Sequence, residues 1–325
     1  MSRIATLAAG ILMIVSLVAD NTTIVEYGQS SRKAQLWRYV DFDESMLSDA
    51  YPSAIAATRH VMGYMGPDFM DLCRDLYERY NPSVFLPQRE PTIPKVIHQI
   101  WLGGQVPEQF KPFMETWIEA HVGRGWQYKL WTDEDLKDLT LYTQDYFDKT
   151  KNFGVKADLL RFEILYRYGG VYIDLDFECL QPLDELHHLY DFYTALQPLD
   201  SKVVQLGSAL VGARPQHPII RQYLVGIKDS WGERGVLRRT GPVHYSRMFY
   251  LTAGRGGNRD IAFPAGYFYP LGCRETEVKR EEWIKRGAYG IHHWSSVWLP
   301  HWGRRKQFQS IRNDENTVNW REVEV

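Results

Sequence analysis

The chain has 325 residues, 44% of them hydrophobic and 24% charged, which is enough to bury one large core and too apolar for disorder over most of its length. Lys plus Arg number 38 and Asp plus Glu 40, a formal net charge of -2, so the basic footprint of a nucleic-acid binder is missing and no nucleic-acid partner is expected. Cys73, Cys179 and Cys273 stand far apart, which excludes a disulfide framework and a paired-cysteine metal site.

In chain order, Arg3 precedes an uncharged, mainly apolar run from Ile4 to Ala19 that ends at Asp20. Its 16 residues fall short of the ~20 of a typical spanning helix. Residues 1–22 therefore read as a signal-anchor in a thin membrane or as the core of a signal peptide, with a buried N-terminal helix as the plain alternative. Leu17 stands where a cleavage site wants a small residue. Asn21-Thr22-Thr23 is an acceptor triplet that matters only in a secretory lumen. Residues 23–90 read as a mainly helical leader and linker. Phe69, Leu72, Leu76 and Tyr80 recur at helical spacing, and Asn81-Pro82, Pro87, Pro91 and Pro94 then break the pattern.

A different style begins at Ile93. Lys95 to Trp101 reads as a strand, Phe110 to His121 as a helix, and Trp126 to Trp131 as a second strand. Val155 to Tyr168 has helical periodicity and stops at Gly169-Gly170, and Val171 to Phe177 follows as one strand. This alternation predicts an α/β domain with a mostly parallel central sheet over residues 91–305, preceded by the helical leader and followed by a tail at 306–325.

The chemistry concentrates in KADLLRFEILYRYGGVYIDLDFECLQPL, residues 156–183. On a continuous strand Asp174 and Asp176 project from one face, and two like charges side by side call for a cation. Hard carboxylate oxygens suit Mg²⁺ or Mn²⁺, which also accept diphosphate oxygens; a solvated strand end is the competing explanation. Asp158 and Arg161, three apart on the preceding helix, are either a plain ion pair or a pair of contacts to sugar hydroxyls and phosphate.

This stretch resembles the DXD sugar-binding region of glycosyltransferase family 32, which includes fungal Golgi mannosyltransferases and bacterial polysaccharide enzymes. Ile93 to Trp101 (IPKVIHQIW), Thr240-Gly241-Pro242 and His292 to Trp298 (HHWSSVW) match in the same order, so the resemblance covers about residues 91–302. It implies a GT-A fold and retaining transfer from a nucleotide-sugar, GDP-mannose or a UDP-hexose, to a glycan, lipid or protein acceptor. Ile100 and Trp101 would form the base platform, with Trp101 stacking. Asp158 and Arg161 would contact donor sugar and phosphate, and Asp174 the ribose or sugar. Asp176 would bind Mn²⁺ or Mg²⁺ directly, with Asp174 beside it. The late segment offers His293 and Ser296 as metal ligands and Trp298 as a phosphate contact. Thr240-Gly241-Pro242 also reads as a plain helix start with Pro242 at its first position.

Two other functions compete: a metal-dependent glycosidase built on the paired carboxylates, and a non-catalytic nucleotide-sugar or glycan-binding module. The N-terminal run adds an expectation of membrane association through a single-pass anchor. That anchor would be of Golgi type II in a eukaryote, or at the cell envelope or cytoplasmic face in a bacterium. Residues 23–90 and Tyr193 to Ala213 carry no transferable pattern.

Overall fold

The computed structural model describes residues 15–18, 22–25, 40–46, 53–54, 66–81 and 90–295. Val15–Val18 (β1) and Thr22–Val25 (β2) pair antiparallel as a separate two-stranded sheet. The remainder of the expected anchor, and the tail 306–325, lie outside the described residues. Among the described residues no helix is long and apolar enough to cross a membrane.

The central sheet is built from β3 (Val96–Ile100), β4 (Gln127–Trp131), β5 (Gly170–Ile173), β7 (Phe192–Ala195), β8 (Leu210–Ala213) and β9 (Asp260–Phe263), in the order β4-β3-β5-β8-β7-β9. Two short strands, β6 (Phe177–Cys179) and β10 (Gly290–His292), pair antiparallel outside it. β3 runs parallel to β4 and β5, and β7 runs parallel to β9. β8 is antiparallel to both its neighbours, so the sheet is mixed but mostly parallel, as expected. The one antiparallel strand has a local cause. The chain leaves β7 and returns directly as β8 without a crossover helix, and the bridge Leu196↔Leu206 closes that excursion as an antiparallel pair. β5, β7 and β8 inside the sheet, and β9 at its edge, are buried along their whole length, as strands covered on both faces must be.

Among the described residues five longer helices pack around the sheet: α1 (Gly66–Tyr80), α2 (Lys111–His121), α3 (Phe153–Tyr168), α4 (Pro218–Ser230) and α5 (Pro242–Thr252). α1 packs against β9, and Tyr77 seals that contact by bonding Tyr267 at 3.0 Å and donating to the Val40 carbonyl at 2.7 Å. α5 starts at Pro242 with Gly241 as its cap residue, as its sequence predicts.

α3 carries Asp158 and Arg161. Asn152 caps it by accepting the Val155 N–H at 3.1 Å. Leu159, Leu160, Phe162, Ile164 and Leu165 are all fully buried, each worth roughly 1.5–3 kcal/mol of burial. Asp158, Arg161 and Glu163 are buried on the same helix, so each must find a partner inside the protein. The helix ends at Gly169 (φ +66°), and Gly170 (φ +94°) starts β5. A Cβ on Gly170 would stand 2.7 Å from the Val96 carbonyl oxygen and 2.9 Å from His98 Nε2, so no larger residue fits this turn.

The strand expected over Val171 to Phe177 is in fact two strands in two sheets. β5 stops at Ile173, Asp174-Leu175-Asp176 forms a turn closed by the Phe177 N–H on the Asp174 carbonyl (3.2 Å), and β6 departs to meet β10. Adjacent like charges disfavour a continuous strand, whereas a turn lets both carboxylates face one spot.

Candidate active site

The turn after β5 is anchored from below. The Asp174 N–H extends the β5–β8 ladder to the Ala209 carbonyl at 2.8 Å, and the Asp174 carbonyl accepts from the Gln99 amide of β3 at 3.3 Å. Gln99 is itself fixed by the Tyr128 hydroxyl of β4 at 2.6 Å. The side-chain oxygen Oδ1 of Asp174 accepts from the Tyr172 hydroxyl at 2.6 Å and faces Arg161 at 3.1 Å.

Arg161 ties the helix to the turn. Its guanidinium meets Asp158 Oδ1 at 3.2 Å, Asp174 Oδ1 at 3.1 Å and the Ser208 carbonyl at 2.6 Å, and lies 4.5 Å from the centre of the Tyr172 ring. Burial alone would favour losing its charge, but Asp174, Tyr172 and Asp158 outweigh that and hold it firmly cationic. Asp158 also accepts from the Thr240 hydroxyl at 2.9 Å. Burial raises the Asp158 carboxyl to about 6 despite the opposing pull of Arg161 and Thr240.

Asp176 is buried beside β10. Its Oδ1 lies 3.2 Å from His292 Nε2, and its Oδ2 accepts the Ser295 N–H at 2.6 Å. Burial would push its carboxyl up, yet His292 and the Ser295 bonds together hold it well below the usual carboxylate range. His292 Nε2 also stands 4.0 Å from Asp174 Oδ2, while its Nδ1 is buried with no hydrogen-bond partner. Asp174, Asp176 and His292 thus offer ligand atoms that all lie within 4.8 Å of one another, the only such group among the described residues. Two carboxylates and an imidazole fit a divalent ion.

The residues singled out from sequence divide into four groups. Asp158, Arg161, Asp174 and Asp176 come together in one chain of contacts. His293, expected as a metal ligand, is not brought to the carboxylates: its Nε2 bonds Glu178 Oε2 at 3.0 Å, and Glu178 is gripped by Arg280 as well. Neighbouring residues on a strand point to opposite sides, and β10 turns His292 inward in its place. Ser296 and Trp298 lie outside the described residues. Trp101 is half-buried at the end of β3, its ring tilted against Phe110 at 5.5 Å, and Ile100 is buried in the core beside it. Sequence reasoning passed over Tyr172, Thr240 as a partner of Asp158, and His292. For His292 the His-His pair was the available signal, but only strand register selects between its two members.

Residues 107–193 match the family described as the glycosyltransferase sugar-binding region containing a DXD motif. The chain is 34% identical to inositol phosphoceramide mannosyltransferase 2 of Schizosaccharomyces pombe, over 49% of this chain and 47% of that one. It is 33% identical to a mannosyl phosphorylinositol ceramide synthase of Saccharomyces cerevisiae, over 50% and 43% respectively. With an uncharacterized glycosyltransferase of Acanthamoeba polyphaga mimivirus it shares 29% identity, over 64% of this chain and 85% of the viral one. The matched region spans about half the length of these fungal relatives. Among solved structures, the PaToxG glycosyltransferase superposes with a TM-score of 0.43 at 16% identity, over 61% of this chain and 79% of that one. The family match contains Asp158, Arg161 and both carboxylates of Asp174-Leu175-Asp176, so this part of the chain is similar to the DXD-containing sugar-binding region of glycosyltransferases.

Proposed function

We propose that the chain transfers a hexose, with mannose the first candidate, from a nucleotide-sugar to a hydroxyl of a glycan, lipid or protein, with retention of anomeric configuration. The carrying observation is the junction of the Asp174–Asp176–His292 cluster with the Arg161–Asp158 pair through the shared carboxylate of Asp174. Mannose is favoured because the fungal relatives are named for mannosyl transfer.

In this reading Asp174, Asp176 and His292 hold the divalent ion. Bound there, Mn²⁺ or Mg²⁺ supplies positive charge to the departing diphosphate. Arg161 adds a fixed cation that needs no reorganisation, because four groups already hold it in place. Asp158 accepts from donor sugar hydroxyls, and Trp101, half-buried at a strand end, offers a ring face to the nucleotide base. No residue is assigned as a nucleophile. Retention then follows from attack on the leaving-group face, with the acceptor proton passing to the diphosphate.

The glycosidase alternative needs two carboxyls roughly 5–9.5 Å apart flanking a bond. Here one oxygen of each carboxylate and one nitrogen of His292 all lie within 4.8 Å of one another, which supports ion binding over flanking. The apolar run from Ile4 to Ala19 supports attachment to a membrane.

The decisive assay is nucleotide release from GDP-mannose and from UDP-hexoses with Mn²⁺, Mg²⁺ or chelator. Release with one donor, abolished by chelation and restored by Mn²⁺, is the expected outcome. Donor binding without any turnover would make the chain a binding module, and sugar release from a glycan without a nucleotide donor would make it a glycosidase.

A further inference from the structure

A second site lies beside the carboxylate cluster. A cavity of about 430 Å³ is bounded by residues 40–46 of the leader, by residues 198–200 after β7, and by parts of 265–286. That volume is in the range of small-molecule sites. The leader is fastened into the wall: Ser45 Oγ accepts the Gly266 N–H at 2.9 Å and the Met46 sulfur accepts that of Ala265.

Four carboxylates line the cavity, those of Asp41, Glu44, Asp200 and Glu275. Among the described residues Arg286 is the only basic one on the wall, and its guanidinium is engaged by Glu282 at 2.8 Å. Asp200 is more than nine-tenths buried; its Oδ2 accepts the Arg274 N–H at 2.9 Å, while Oδ1 is buried with no partner. Aromatic walls come from Tyr269 and Trp283. The Tyr269 ring meets His292 edge-on at 5.6 Å, so a single ring separates the cavity from the carboxylate cluster.

Carboxylates accept strongly from pairs of hydroxyls, and aromatic faces suit the C–H face of a sugar. Among the described residues a phosphate would meet four carboxylates against a single guanidinium, already paired with Glu282. A caged metal is not the occupant, since no triad of ligand atoms comes together here among the described residues. We infer that this cavity is the acceptor subsite and takes a neutral polyol or hexopyranose in preference to a phosphorylated one, with leader residues 40–46 completing it. The assignment rests on the transferase reading above. In the transfer, an acceptor hydroxyl oxygen bonds to the anomeric carbon, the bond from that carbon to the diphosphate oxygen breaks, and the hydroxyl proton leaves on the nucleoside diphosphate.

Saturation-transfer NMR on the full chain, without donor or metal, tests it with methyl α-mannopyranoside and mannose 6-phosphate. The neutral ligand should bind at least about tenfold more tightly. Asp200→Asn should weaken the neutral ligand about tenfold and narrow its preference over the phosphate. Glu44→Gln, on the exposed leader, should shift the preference in the same direction and serves if Asp200→Asn fails to fold. Equal affinity for the two ligands, or no change in either folded variant, would overturn the assignment. A protein that turns over a nucleotide-sugar yet binds no neutral polyol loses only this inference. One that binds the polyol through Asp200 but turns over no donor keeps the site and loses the transferase reading.

Discussion

His292 and His293 are adjacent, buried and chemically identical, yet they face different charges. His292 stands with Asp174 and Asp176, whereas His293 bonds Glu178, which Arg280 also holds. Substituting each by Gln should therefore separate two functions. His292→Gln should weaken Mn²⁺ binding and turnover at least about tenfold, with little change in melting temperature. His293→Gln should lower stability by about 1–3 kcal/mol through the weakened bond to the buried Glu178 carboxylate, which Arg280 still holds, and spare metal affinity; calorimetric metal titration beside thermal unfolding reads both. Asp158 offers a pH test. Its carboxyl is raised from 3.8 to about 6, burial being the main cause. Between these values the folded chain holds a proton that the unfolded chain has released. This stabilising contribution is therefore full below about pH 4 and lost as the pH rises through about 6. Asp158→Asn should remove that slope, changing the pH 4-to-7 difference in unfolding free energy by on the order of 2–3 kcal/mol. Urea titrations at both pH values measure it, and identical slopes in the two proteins would refute it.

At the scale of elements, the turn from α3 into β5 sets the geometry. His98 Nε2 donates to the Gly169 carbonyl at 2.9 Å while its Nδ1 accepts from Trp131 at 3.2 Å, and burial lowers its pKa to about 4, so the neutral ring keeps both bonds. Gly170→Ala would force a Cβ against Val96 and His98 at a positive φ. We expect a loss of about 2–4 kcal/mol, and a drop in donor turnover larger than any pocket-remote variant of equal stability shows, because β5 carries Asp174. The helix, its Gly-Gly stop and the strand start were all legible in residues 153–173, since capping, periodicity and glycine act locally. The break of the strand at Asp174 was not. It depends on where β6 finds β10, more than a hundred residues later.

For the molecule as a whole, β10 pairs with β6 and brings His292 and Ser295 to Asp176, so the site exists only when the late segment has docked. The N-terminal ribbon of β1 and β2 forms a sheet of its own. A chain starting at Thr23 should accordingly keep full donor turnover, measured as nucleotide release; a loss of turnover in the folded protein would assign residues 1–22 to the catalytic unit. By itself the sequence determined the α/β class, the helix carrying Asp158 and Arg161, and the carboxylates Asp174 and Asp176. Each of these is written in periodicity, turn residues or a short motif, and each depends on neighbours within a few positions. Tertiary structure alone decided that β8 runs antiparallel, that His292 rather than His293 faces the carboxylates, and that Thr240 and Ser208 hold Asp158 and Arg161. Those outcomes turn on strand register and on the pairing of buried charges across distant segments, and neither leaves a periodic trace in the chain.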